Sequence, residues 1–99
     1  MKSKKAYIRW TGRLYDNGRL NLKIGMPYYP HIVLKNDLYK TEWSVRFIVS
    51  KPNTANEAVV HLEMLVNNEA SNVFWGELSS GTEFYLLEGT AQVAYGYII

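Results

Sequence analysis

The sequence contains no cysteine. Disulfides and thiolate metal sites are therefore excluded, and the composition suits a reducing compartment. No apolar run reaches the ~18 residues that a membrane-spanning helix needs. Charge of one sign is also scarce: the net charge is +2, with both signs interspersed. A strong general attraction to nucleic acid or to a membrane surface is not implied. Lys2, Lys4 and Lys5 give a basic start like that of a signal peptide. The residues that follow, Ala6 to Thr11, alternate apolar with polar and include Arg9, so they do not form an apolar signal core. A cytoplasmic protein is expected.

Catalytic signatures are missing as well. There is no Gly-x-Ser-x-Gly elbow and no phosphate-binding Gly-x-x-x-x-Gly-Lys-Ser/Thr loop. The two histidines, His31 and His61, stand thirty positions apart, and neither has a Ser, an Asp or a second His beside it. Seven glutamates are scattered from Glu42 to Glu88. Ser79-Ser80 before Gly81 reads as a turn. No catalytic residue, metal site or cofactor is expected, although a fold can bring distant carboxylates together.

What the chain does have is aromatics: 14% of its residues, eight of them tyrosine. Such residues suit strands and contact surfaces. Ninety-nine residues make one domain. A chain of that size buries roughly two-thirds of its unfolded surface, enough for a core without staples.

Period-two alternation is the dominant pattern. Over residues 5–15, Ala6, Ile8 and Trp10 share one face and Tyr7, Arg9 and Thr11 the other, and Gly12 marks a bulge or bend. Asp16-Asn17-Gly18-Arg19 is a tight-turn signal, followed by alternation through Leu20, Leu22 and Ile24. Gly25 to Pro30 is a loop, because two prolines within four residues exclude a central strand. His31 to Lys35 is a short strand, and Asn36-Asp37 turns. Trp43, Val45, Phe47 and Val49 mark another strand, with Trp10 and Trp43 assigned to the core. Lys51 to Asn56 is a polar connection. Ala58 to Val66 reads as a strand, with a helix as the alternative, and Asn67 to Ser71 as a turn. Asn72 to Gly76 is either a turn of helix or a strand end. Gly81 to Ile99 is two aromatic-rich apolar runs around Glu88-Gly89-Thr90, a closing hairpin. Six or seven strands separated by regular turn signals predict an all-β barrel or sandwich. It is a single domain over residues 1–99, with residues 1–5 a frayed basic start.

Several motifs together resemble one family. Asn17-Gly18-Arg19, Tyr28-Tyr29-Pro30-His31, Gly81-Thr82-Glu83-Phe84 and Glu88-Gly89, with Val93 and Gly96, follow in order along nearly the whole chain. They resemble the C-terminal β-barrel domain of elongation factor Tu, with its Gly-Gly-Arg turn, Tyr-Arg-Pro loop, Gly-x-x-Phe strand, Glu-Gly-Gly-Arg turn and Val-Gly-x-Gly end. The resemblance implies a small antiparallel barrel of six to seven strands. In it Gly18, Pro30, Gly81, Glu88, Gly89 and Gly96 shape turns, Glu88 by stabilising the hinge beside it. The departures bear on function. Tyr29 stands where the family has arginine, and Thr90-Ala91-Gln92 stands where the family has Gly-Arg-Thr. Two guanidiniums that would grip tRNA phosphate are gone.

The expected function is therefore a non-catalytic, stand-alone barrel that binds a protein partner. One concrete form is an immunity or antitoxin protein that caps a toxin, and a translation factor is another partner class. The alternative is a translation-associated tRNA-binding domain. Candidate contact residues are Arg19, Tyr28, Tyr29, His31 and Trp75: Tyr28 and Tyr29 because two prolines stiffen their loop, Trp75 because it falls in a connection. Tyr7-Ile8-Arg9 and Tyr39-Lys40 have the aromatic-plus-basic character of single-stranded nucleic acid binders.

Overall fold

A computed structural model describes residues 3–11 and 23–99. The strands are β1 (Ser3–Trp10), β2 (Pro27–Tyr28), β3 (His31–Leu34), β4 (Trp43–Ile48), β5 (Glu57–Met64), β6 (Glu83–Glu88) and β7 (Ala91–Ile98). Among the described residues one helix, α1 (Glu69–Glu77), joins β5 to β6. All the strand pairings are antiparallel. The order β4-β3-β6-β7-β1-β5 closes on itself through a β4–β5 pairing, so six strands form a barrel and β2 is extra.

Alternation is what lets the strands close around a core. Ala6, Ile8 and Trp10 point inward from β1, and Val45 and Phe47 from β4. Val60 and Leu62 do so from β5, and Phe84 and Leu86 from β6. The region 58–66 is a strand through Met64, because its β-branched start and its His61/Glu63 alternation fit a half-buried sheet. In β6–β7 the register shifts after Leu86, so that Leu86 faces Ala94 while Leu87 faces Gln92. Val93 is the additional residue, and Val93 and Ala94 are both buried. Such a bulge bends the ribbon as a closing barrel requires.

Four expectations need correction. Residues 3–5 do not fray: Ser3, Lys4 and Lys5 pair with Glu63, Leu62 and His61. The Lys4 ammonium also donates to the Leu78 carbonyl at 2.9 Å and lies over the Trp75 ring. The Pro27–Pro30 segment is not simply a loop. β2 and β3 keep one register against β4, Pro27 facing Ile48, Tyr28 Phe47, His31 Ser44 and Ile32 Trp43. Together they act as one strand interrupted at Tyr29-Pro30. Pro30 has no N–H to give, but its carbonyl still accepts from the Val45 N–H at 3.0 Å. The stretch 67–71 is not a turn: Asn68 caps α1, its side chain accepting from the Ser71 N–H while the Ser71 hydroxyl accepts from the Asn68 N–H. Finally, Gly96 sits within β7, not in a turn.

The Gly12 bulge, the Asn17-Gly18-Arg19 turn and the strand predicted over Leu20 and Leu22 lie outside the described residues.

The barrel has two different ends. At one, Trp10, Tyr28 and Phe47 meet with ring centroids 5.7–6.0 Å apart. At the other, α1 lies across the opening. Phe74 stacks on Trp43 at 5.1 Å, and Trp75 and Leu78 are buried beside it. Trp43 is thus partly buried under the helix, whereas Trp10 is fully in the core.

Candidate functional site

The residues singled out from sequence do not form one site. Tyr28 turns inward and is buried. Its hydroxyl donates to the Glu88 carboxylate at 3.2 Å, and burial, followed by the Glu88 charge, pushes its ionisation well above the ordinary tyrosine range. Glu88 thereby ties the β6 end of the hairpin to β2. Tyr29 points outward and is 57% exposed. His31 lies 3.3 Å from Glu42, both side chains about half exposed. Trp75 is not a surface aromatic: it is buried under α1, at the barrel end opposite Tyr28. Pro30 is fully buried. Gly81 and Gly89 do occupy turns with positive φ, 90° and 61°. Gly89 begins the two-residue loop between Glu88 and Ala91, where a glycine at the first central position suits a tight hairpin. Arg19 lies outside the described residues.

The outer face of β1, β7, β6 and β3 collects aromatics that were not singled out together. Pairing aligns Glu83, Tyr97, Tyr7 and Val59 across four strands in one row. The next outward row holds Val33, Tyr85, Tyr95, Arg9 and Glu57. Tyr7 and Tyr97 stack with centroids 4.9 Å apart. Tyr95 and Tyr97 keep 40% and 43% of their surface exposed. The spacing of Tyr95 and Tyr97 about Gly96 carried the signal: period two puts both tyrosines outward once Gly96 faces in.

Gly96 makes this face possible. A Cβ built there would stand 1.9 Å from the Tyr7 carbonyl oxygen. Without it, β1 and β7 approach closely and the tyrosines on either side are brought level.

Two depressions flank Tyr85. The first, about 450 Å³, is floored by Phe84 and Gly96 and walled by the tyrosines, with Lys35 and Glu83 at its rim. The second, about 230 Å³, is bounded by Val33, Leu87 and Gln92, with Lys40 and Glu42 at its rim. Lys40 and Glu42 come from the loop after β3. Asp37 braces that loop, its two carboxylate oxygens accepting from the Tyr39 and Thr41 N–H groups at 2.9 and 3.1 Å. Those bonds hold the Asp37 carboxyl below its ordinary range. The loop carries Leu38 and Tyr39 almost wholly exposed.

The charges that line the first depression are matched. Lys35 pairs with Glu83 at 3.1 Å, and Arg9 stands opposite Glu57. The Tyr7 hydroxyl donates to Glu57, which also accepts from the Asn53 side-chain amide. The bond to Glu57 pushes the Tyr7 hydroxyl up to about 12 and draws Glu57 down. Tyr7 therefore remains a neutral phenol at physiological pH. Among the described residues, no group of three His, Asp or Glu side chains is placed to hold a metal ion. No helix among them is long and apolar enough to cross a membrane.

No protein family, curated protein or solved structure matches this chain.

Proposed function

We propose that this protein is a non-catalytic binding barrel of the elongation factor Tu C-terminal type, and that it engages a protein partner through its tyrosine-bearing outer face. The observation that carries the reading is the cluster of Tyr7, Tyr85, Tyr95 and Tyr97 across three paired strands. Tyrosine contributes large contact area with few rotatable bonds, and it is enriched at protein interfaces. A closed six-stranded barrel is compatible with the elongation-factor resemblance. A net charge of only +2 gives the tRNA alternative a weak electrostatic contribution. An immunity or antitoxin protein capping a toxin is the concrete form of this proposal, acting in the cytoplasm. The His31–Glu42 pair, being half exposed on both sides, offers little support for an enzyme.

The test is affinity capture of the tagged chain from host lysate, with and without nuclease, beside the exposed-face variants Tyr95→Ala and Tyr97→Ala. A protein recovered in both halves and lost with the variants is expected. Recovery of RNA that vanishes on nuclease treatment would transfer the assignment to RNA binding. A protein captured equally well by the variants would move the interface elsewhere.

A further inference from the structure

We propose that the tyrosine face receives a proline-rich segment in the polyproline II conformation. The inference rests on the binding-module reading and names the chemistry of the partner.

Three observations lead there. The first is electrostatic. The two charged residues that line the larger depression, Lys35 and Glu83, pair with each other, and the Tyr7 phenol is neutral. An occupant carrying a run of charge would find no net complement in this depression, whereas an uncharged one loses nothing. The second is the lining. Aromatic rings form the walls, and that is the surface on which proline rings pack while the hydroxyls of Tyr85, Tyr95 and Tyr97, Tyr7 being engaged by Glu57, serve peptide carbonyls. Polyproline II leaves its carbonyls free for such donors, because it has no internal hydrogen bonds.

The third is spacing. The two depressions share Tyr85 as a ridge. By register, the residues lining the second (Val33, Leu87, Gln92) lie about one strand across and about two residues along from those lining the first (Glu83, Tyr95, Tyr97), roughly 8 Å on the diagonal of the sheet. A polyproline II chain rises ~3.1 Å per residue, so its repeat of three residues advances about 9 Å. Residues one turn apart therefore fall into the two depressions with the ridge between them. An extended β-strand partner fits less well, because every edge of the sheet beneath the face is already paired. Little ordering entropy is lost on either side, since the segment is preformed and the rings sit on paired strands.

The experiment is a backbone-amide NMR titration of the full chain with decaproline, with a Gly-Ser peptide of equal length and with an oligouridylate. Decaproline is expected to shift the amides of Tyr85, Tyr95, Tyr97 and Leu87 in a saturable way, while the other two probes leave them in place. Tyr85→Ala, which removes the ridge, and Tyr95→Ala, an exposed position, are each expected to weaken binding by about tenfold or more. A thermal melt of each variant separates lost affinity from lost fold. The proposal is overturned if decaproline at millimolar concentration leaves this face unmoved or if the Gly-Ser peptide moves it equally. It is also overturned if the shifts depend on protein concentration alone, which would assign the face to a second copy. Capture of a protein through Tyr97 with decaproline silent would retire the polyproline class and keep the binding module. Loss of both would retire the two together.

Discussion

At the scale of single residues, Gly96 is the position where one carbon decides most. The Cβ of an alanine there would meet the Tyr7 carbonyl oxygen at 1.9 Å, and backbone cannot step aside as a side-chain tip can. Gly96→Ala is expected to destabilise by about 3 kcal/mol or more, or to prevent folding, with the denaturant midpoint as the readout. A loss under about 1 kcal/mol would mean that β1 and β7 separate at little cost. Tyr7 gives a second expectation. Its folded ionisation is raised from 10.0 to about 12. The bond to Glu57 therefore contributes fully below the unfolded tyrosine value and is lost as pH rises through the folded one. An alkaline titration followed by phenolate absorbance should show a late phase that Tyr7→Phe diminishes. Identical curves for the two proteins would argue against that hydrogen bond.

At the scale of elements, α1 shows what the sequence carried and what it concealed. Ser71, Phe74, Trp75 and Leu78 recur at helical spacing and are all buried. Yet Asn67-Asn68 before them reads as a turn, because asparagine is as common in turns as at helix caps. The third helical residue is Ser71, not the Glu or Gln by which a capping box is usually recognised. The helix is also only nine residues long, held by what it covers more than by propensity. Asn68→Ala is expected to cost about 1 kcal/mol of stability, measured by thermal melting, while Asn68→Asp retains most of it. An unchanged melting temperature for Asn68→Ala would show that packing alone holds the helix. The strands were more legible than the helix, since alternation at β1, β4 and β5 is local and each burial pattern follows it directly.

At the scale of the whole molecule, all-β architecture was readable and the position of the contact surface was not. A strand pattern says which side chains face out, but which of them become neighbours depends on pairing. Tyr7 and Tyr97 are ninety positions apart in sequence and stacked in space. Proline stiffening of Tyr28-Tyr29 pointed to a loop site, whereas the register against β4 carried on through the prolines and turned Tyr28 into the core. Net charge belongs to this scale too. At +2, partner capture should change little between low and moderate salt, whereas an RNA complex would weaken steeply.

Closure through β4 and β5 has a further consequence, for behaviour in crowded solution. A sticky aromatic surface on an open sheet is hazardous, because unpaired backbone at its border can recruit like chains into a growing stack. Here the strands beneath the tyrosines have both borders occupied, and the short β2 outside the ring begins with a proline that has no N–H to offer. The molecule can thus display its rings at high concentration without seeding fibrils, keeping adhesion for side chains and withholding it from the main chain.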